Sequence, residues 1–357
     1  MHCPHLWDLP SPPPGKKGWP WTEESVATPE TTQDGTSWPK ISIVTPSFNQ
    51  GKFIEETIRS VLLQGYPNIE YFILDGGSSD QTIEIIKKYE LWITSWVSEK
   101  DKGQASAINK GWLRATGEIV SYLNSDDIFL PNTLWQVSHF FSRHQESGMV
   151  FGDAYFVDHK SRIIGQFRGK KYDQTSLFYR TINIGQPATF LKRSVLDKTG
   201  YLDEELHFSM DFHLWLRISL FNSLDYIPAF LATMRLHPGA KTVQDFQLFY
   251  QDELKSLESV FSGTYIPDNL RTIQIAAYSH CYLRGGYRAF QLGNPKEARC
   301  LLLTALRMYP WFLVNPIHVL ITTMTFLPAR FVRKLYNAKA RLLKRKNFID
   351  LLLESEN

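Results

Sequence analysis

Two adjacent carboxylates stand in the segment Asn124-Ser-Asp126-Asp127, directly after a β-branched run at residues 119–123. Adjacent acids repel each other, and such a pair needs a cation or hydrogen-bond donors. A hard divalent metal bridging carboxylate and diphosphate oxygens would meet that need. A cap cluster ahead of a helix begun by Pro131 is the plainer reading. A second cluster is Asp75-Gly-Gly-Ser-Ser-Asp80. Its glycines let backbone approach a ligand, and Asp75 could accept hydrogen bonds from a nucleobase or ribose. A simple turn capped by Asp80 competes with that reading. Asp211, in Ser209-Met-Asp211, precedes an amphipathic stretch and could serve as a general base or as another cap. Arg235-Leu-His237 follows a strand-like run; a lone histidine is more often structural than a ligand.

These clusters sit where short apolar runs end. Strands are expected over residues 41–45, ended by Pro46, and over 69–74, 92–97 and 119–123. Helical spacing falls between them: Phe53 to Leu62, a helix capped by Asp80 and running to Tyr89, and 105–115. The alternation implies βαβ units and a mostly parallel sheet. Ligands of such sheets bind beyond the carboxyl ends of the strands, where Thr45-Pro46-Ser47, Asp75-Gly-Gly77 and the 124–127 segment fall. Beyond Met149 the pattern turns antiparallel, with a hairpin turn at 158–162, a strand at 189–191, a helix from Ser194 and a strand at 229–236. From Asp245 it turns helical, and residues 273–309 read as one tetratricopeptide-like hairpin around Gly293-Asn-Pro295. A single such unit needs a neighbour for its apolar face. Residues 1–39 read as an irregular leader rich in Pro and Trp, with tryptophans able to dock on the body.

The 357 residues carry 39 Lys and Arg against 36 Asp and Glu, so no global charge points to nucleic acid. The 3 cysteines are far apart, without metal-ligand spacing or a disulfide framework, which favours a reducing compartment. No secretory signal pattern is read at the start, so a cytoplasmic protein is expected. Residues 311–327 are apolar, and eight Lys and Arg residues follow between Arg330 and Lys346. That pairing suits an anionic membrane surface; a helix packed on the body with a solvated basic tail, or a partner-binding helix, are the alternatives.

Five segments occur together in order: 41–49, 74–80, 98–111, 117–127 and Met210-Asp211. This set resembles the family 2 glycosyltransferases. The resemblance implies the GT-A fold, α/β and Rossmann-like, a mostly parallel sheet with helices on both faces, here followed by a C-terminal α-helical region. It divides the chain into the leader 1–39, a GT-A domain at 40–243, helices at 244–310 and an apolar then basic segment at 311–357. By resemblance, Thr45, Pro46 and Ser47 line the nucleotide site and Asp75 contacts the base. Asp101 and Gln104 border the nucleotide and donor sugar, and Asp126 belongs to the diphosphate motif. Asp127 and His237 ligate Mg²⁺ or Mn²⁺. Asp211 is the catalytic base, although the family often has Glu-Asp where this chain has Met-Asp.

The implied reaction is an inverting transfer from a UDP-, dTDP- or GDP-sugar to a glycan or lipid-linked acceptor in polysaccharide, lipopolysaccharide or glycolipid synthesis. The loop at 238–242 would close over the donor. No Gln-x-x-Arg-Trp motif is present, which favours single transfer over processive synthesis. A metal-dependent nucleotidyltransferase is the enzymatic alternative, though Ser47-Phe-Asn-Gln-Gly51 is a poor phosphate loop. A non-catalytic scaffold of the same fold is the other.

Overall fold

The computed structural model describes residues 2–32, 34–237, 239 and 249–327. Strand β1 (Ile41–Ser47) is buried at every position, as a β-branched strand flanked on both sides must be. It pairs in parallel with β2 (Ile69–Asp75) and β4 (Ile119–Tyr122), and β3 (Ser95–Ser98) extends the sheet beyond β2. Pro46 does not stop β1. Pairing with β4 ends at Val44↔Tyr122, so no acceptor awaits the N–H that proline lacks. Helices α1 (Ile54–Leu62), α2 (Thr82–Lys88) and α3 (Gln104–Arg114) complete the alternation. Helix α3 lies so close to the sheet that a Cβ on Gly111 would stand 2.5 Å from Val44. Only glycine fits that crossing.

The sheet then turns mixed. Its order is β3-β2-β1-β4-β8-β6-β9-β5, with β7 beside β6. The added strands are β5 (Ile128–Phe129), β6 (Ser147–Val157), β7 (Ile163–Phe167), β8 (Thr189–Lys192) and β9 (Ser223–Arg235). Strand β8 is antiparallel to β4 and β6, while β9 runs parallel to β6. Helix α4 (Thr133–Arg143) follows β5, and α6 (Arg193–Thr199) follows β8.

Several boundaries differ from expectation. A 3-10 turn at Glu90–Trp92 delays β3 to Ser95. Helix α2 begins at Thr82, with the Asp80 carboxylate accepting from Thr82 N–H (3.0 Å) and from Gly51 N–H (2.9 Å). Pro131 lies outside α4, whose N-cap, Asn132, takes a left-handed φ of 61°.

The chain forms two compact units. The first comprises residues 1–172, 183–207 and 221–235, and so holds the whole sheet and the leader. The leader is irregular yet docked. The buried Arg59 of α1 donates to the carbonyls of Pro10, Pro20 and Trp21 at 2.8–3.0 Å, and Trp19 Nε1 donates to the Phe129 carbonyl at 2.8 Å. Trp21 and Trp38 are buried, whereas Trp7 is exposed.

The second unit comprises residues 173–182, 208–220 and 236 onward. It therefore takes in α5 (Gln174–Phe178) and α7 (Met210–Ser219), which the sequence reading had put in the first domain. The reason lies in their partners on α8 (Phe249–Phe261). Glu253 holds Arg180, Phe261 packs on Phe178, and Asp252 accepts from the Phe208 N–H. After α9 (Asp268–Arg271) come α10 (Gln274–Gln291) and α11 (Pro295–Met308), joined by Gly293 at φ +79° and capped by Asn294. Ala298 and Ala305 are fully buried in this hairpin, and Phe312, Ile321 and Met324 cover its apolar face. Residues 311–327 thus supply the neighbour that a single hairpin needs. They fold as a 3-10 turn (Pro310–Val314) and the short α12 (Pro316–Met324). Among the described residues no helix is long and apolar enough to cross a membrane. The basic stretch 330–346 lies outside the described residues, as does the loop 238–242 except for Gly239.

Candidate functional site

In the first unit the sequence-predicted residues gather at the carboxyl ends of β1, β2 and β4. The Ser47 carbonyl at the end of β1 accepts from Gly76 N–H at 2.8 Å. Gly76 in turn abuts Asp101, whose Oδ2 would lie 3.1 Å from a Cβ there, a tight approach. Asp101 accepts from Gly103 N–H at 2.8 Å, which sets the start of α3. Gln104, the first residue of α3, donates to Asn124 Oδ1 at 2.7 Å, and Asn124 Nδ2 reaches Asp127 Oδ2 at 3.4 Å. One run of contacts therefore joins Ser47, Asp75's turn, Asp101, Gln104 and the acidic loop.

The individual side chains differ in what they offer. Asp75 accepts four hydrogen bonds, from Gly77 and Ser78 N–H and the Ser78 and Ser98 hydroxyls, at 2.5–3.0 Å. A carboxylate has about four acceptor sites, so Asp75 organises its own turn, and a base would have to displace a donor to reach it. Thr45 is fully buried, 3.1 Å from the Tyr71 hydroxyl, so its side chain serves the strand instead of lining an open site. Pro46 is buried beside it. Ser47 is the exception at this rim: its buried Oγ has no hydrogen-bond partner among the described residues. Such a group normally has one, supplied by protein or solvent.

Asp127 is 6% exposed and held at three points. Arg235 N–H donates to Oδ1 at 2.9 Å, Asn124 contacts Oδ2, and Thr57 Oγ1 of α1 donates to the main-chain carbonyl at 2.7 Å. Burial, followed by the adjacent Asp126 charge, pushes the Asp127 carboxyl well above the usual carboxylate range; Arg235 only partly opposes this. A buried acid short of donors beside a second acid is the environment a divalent cation relieves. Mg²⁺ commonly takes one or two protein carboxylates and completes its shell with phosphates and water, so Asp126 and Asp127 fit that mode.

Sequence reasoning missed three contributors to this rim. Gln186, in the turn before β8, receives Asn124 Nδ2 on Oε1 at 3.2 Å and donates to the Tyr122 carbonyl at 2.9 Å. Arg235 was passed over in favour of His237, and Glu56 drew no notice within α1.

Asp211 and His237 belong to the second unit. Asp211 lies in the first turn of α7, after the N-cap Ser209, and does not precede the helix as expected. Burial raises its carboxyl pKa, while the Arg180 guanidinium pulls it down. Arg180 itself sits over the Phe212 ring and pairs with Glu253. His237 is buried, with Gly239 close against its ring.

Comparison with known proteins adds an independent line. The family described as Glycosyl transferase family 2 matches residues 42–200. An uncharacterized glycosyltransferase of Rickettsia typhi is 28% identical over 238 residues, covering 65% of this chain and 73% of its own. A putative teichuronic acid biosynthesis glycosyltransferase, TuaG of Bacillus subtilis, is 42% identical over 96 residues, 26% of this chain and 38% of the relative. Among solved structures, S. aureus TarS 1–349 in complex with UDP-GlcNAc superposes with a TM-score of 0.61 at 18% identity, covering 84% of this chain and 92% of that one. A longer TarS chain is matched over 49% of its length. The Pyrobaculum calidifontis mannosyltransferase PcManGT, in complex with GDP-Man and Mn²⁺, gives 0.56 at 16% identity over 89% and 91%. At these identities the structures speak for the fold alone.

Proposed function

The chain belongs to the family 2 glycosyltransferases, and from that premise we propose an inverting transfer of a sugar from a nucleoside diphosphate donor to an acceptor hydroxyl. The observation that carries this reading is the pairing, on one rim of the sheet, of a buried Ser47 hydroxyl without a partner among the described residues and a buried, donor-poor Asp127 carboxylate. The first suits a nucleotide's polar groups, and the second suits the cation that accompanies a diphosphate. The ligands of the structural neighbours, UDP-GlcNAc and GDP-Man, support a nucleotide-sugar. TuaG supports a cell-surface polymer as the acceptor class.

Within this reading Ser47 and Pro46 flank the nucleotide, with Thr45 supporting them from beneath. The turn organised by Asp75 presents its edge to the base. Asp101 and Gln104 fix the start of α3 beside the donor. Asp126 and Asp127 would hold Mg²⁺ or Mn²⁺, to which the family resemblance adds His237 as a further ligand. When bound, that cation stabilises the charge that develops on the departing diphosphate. Asp211 takes the proton from the acceptor hydroxyl. A carboxyl pKa lifted by burial brings a base nearer the working pH, which strengthens general-base action. Exposed Trp311, Val314, Leu320 and Phe326, followed in the sequence by the basic run at 330–346, suit attachment to an anionic bilayer.

Asp211→Asn tests the assignment. The variant is expected to bind UDP or GDP with Mn²⁺ as the parent does, by calorimetry, and to lose transfer from the matching nucleotide-sugar. Turnover near the parent's would remove Asp211 from the role of base.

A further inference from the structure

Arg235 ends β9 with its side chain wholly inside the protein. It is an unusual place for a cation, and all three nitrogens of its guanidinium donate. Nε donates to the Asp126 carbonyl at 2.8 Å. One terminal nitrogen donates to the Asp158 carbonyl and to Ser161 Oγ, each at 3.0 Å, and the other to Glu56 Oε2 at 3.0 Å. Ser161 Oγ also donates to Glu56 Oε2, at 2.8 Å. The Phe53 ring lies 4.8 Å from the guanidinium carbon. The main chain of the same residue donates to Asp127 Oδ1. Arg235 thus grips both members of the acidic pair, Asp126 by its carbonyl and Asp127 by its carboxylate. Glu56 and the turn between β6 and β7 grip Arg235.

Stability alone does not explain this arrangement. Burying two charges costs several kcal/mol per ion, and apolar replacements of buried pairs are often neutral or better. What the pair supplies is placement. Helix α1 contributes consecutive residues to it, Glu56 through Arg235 and Thr57 directly to the Asp127 carbonyl. With Oδ1 taken by the Arg235 N–H, Asp127 is left with Oδ2, whose one hydrogen-bonding contact among the described residues is the long 3.4 Å approach of Asn124.

We infer that Glu56, Arg235 and Ser161 are positioning residues that fix the Asp126–Asp127 loop so that Asp127 Oδ2 is the oxygen offered to the cation and its diphosphate. The inference rests on the transferase reading and gives its acidic loop a frame. Groups that orient metal ligands from behind typically change affinity by about 10–100-fold when altered.

The test is Mn²⁺ affinity, read by electron paramagnetic resonance of free Mn²⁺ with saturating UDP and then GDP. It compares the parent with Arg235→Lys, Glu56→Gln and Ser161→Ala at a temperature well below each melting point. Arg235→Lys keeps the charge but loses the fork that reaches two carbonyls, and about 10–100-fold weaker binding is expected. Glu56→Gln should fall between it and Ser161→Ala, for which about a threefold loss is expected from one hydroxyl. Parent-like affinity in any folded Arg235→Lys or Glu56→Gln protein, even one with a lowered melting point, overturns the inference and leaves the pair a structural one. If neither folds, unchanged affinity in Ser161→Ala does so. A parent that binds Mn²⁺ with neither nucleotide fails differently: it sinks the metal-dependent transferase reading itself.

Discussion

The two ends of β1 carry the same residue types in opposite circumstances. At the amino end, Ser42 donates to Glu70 at 2.7 Å and accepts from Gly117 N–H at 2.9 Å. Glu70 also receives Thr116 N–H and its hydroxyl and faces Lys40. Burial works against ionisation there, but these donors outweigh it and hold the Glu70 carboxyl down at about 2. At the carboxyl end, Ser47 Oγ has no partner among the described residues and Asp127 is pushed up. An acid supplied with donors from within stabilises its fold; one left short of them is stabilised only when a ligand arrives. On the proposed reading, the contrast separates the structural rim of the sheet from the rim that meets the donor.

The strongest way to break this contrast is at Asp127. Asp127→Asn should lower transfer by about 10³-fold, the scale on which charge-stabilising groups act. It should also leave the melting point unchanged or raise it, because burying an amide costs less than burying a second carboxylate beside Asp126. Transfer assays and thermal unfolding of the same protein check both halves. A marked loss of stability would place Asp127 with the structural acids.

Glu70→Gln should do the reverse. Transfer is expected to persist, and the protein should lose about 1–2 kcal/mol at neutral pH, with screening by solvent allowed for. The sign follows from the lowered pKa. The folded value, about 2, lies below the ordinary glutamate value of 4.5. The stabilisation is therefore fully present above pH 4.5 and fades as pH falls toward 2. Denaturant unfolding of parent and variant should converge over that window, and a gap that stays constant to pH 2 would remove the charged hydrogen bonds as its cause.

How far this was legible in the sequence depends on separation along the chain. The strands around 41–47 and 69–75, the acidic loop and the hairpin at 293–295 were readable because period, cap and turn signals act within a few residues. The frame behind the loop was not. Arg235 meets Asp127 across 108 positions and Glu56 across 179, and Gln186 meets Asn124 across 62. No local pattern encodes such pairs. The leader shows the same limit: its prolines forbid regular structure and were read so, but that leader carbonyls would satisfy Arg59 emerges only in the folded chain, where Pro10 and Arg59 meet across 49 positions. Thr45 and Asp75 show a subtler one. Asp75 lies at a strand end as read, while Thr45 lies two residues inside β1, and whether either side chain is already satisfied depends on Tyr71 and Ser98 on neighbouring strands.

The finest test compares two serines on one strand. Ser42→Ala removes a donor from Glu70 and an acceptor from Gly117, and should cost about 1–2 kcal/mol while leaving the donor KM unchanged. Ser47→Ala removes a hydroxyl that the protein does not use, so its stability should stay within about 0.5 kcal/mol of the parent. Its effect should fall on the donor, with KM for the nucleotide-sugar rising about threefold and kcat little changed, the pattern of a contact made equally in ground and transition states. If Ser47→Ala instead destabilised the fold as Ser42→Ala does, with KM untouched, the two ends of β1 would be alike and Ser47 would have no place in the nucleotide site.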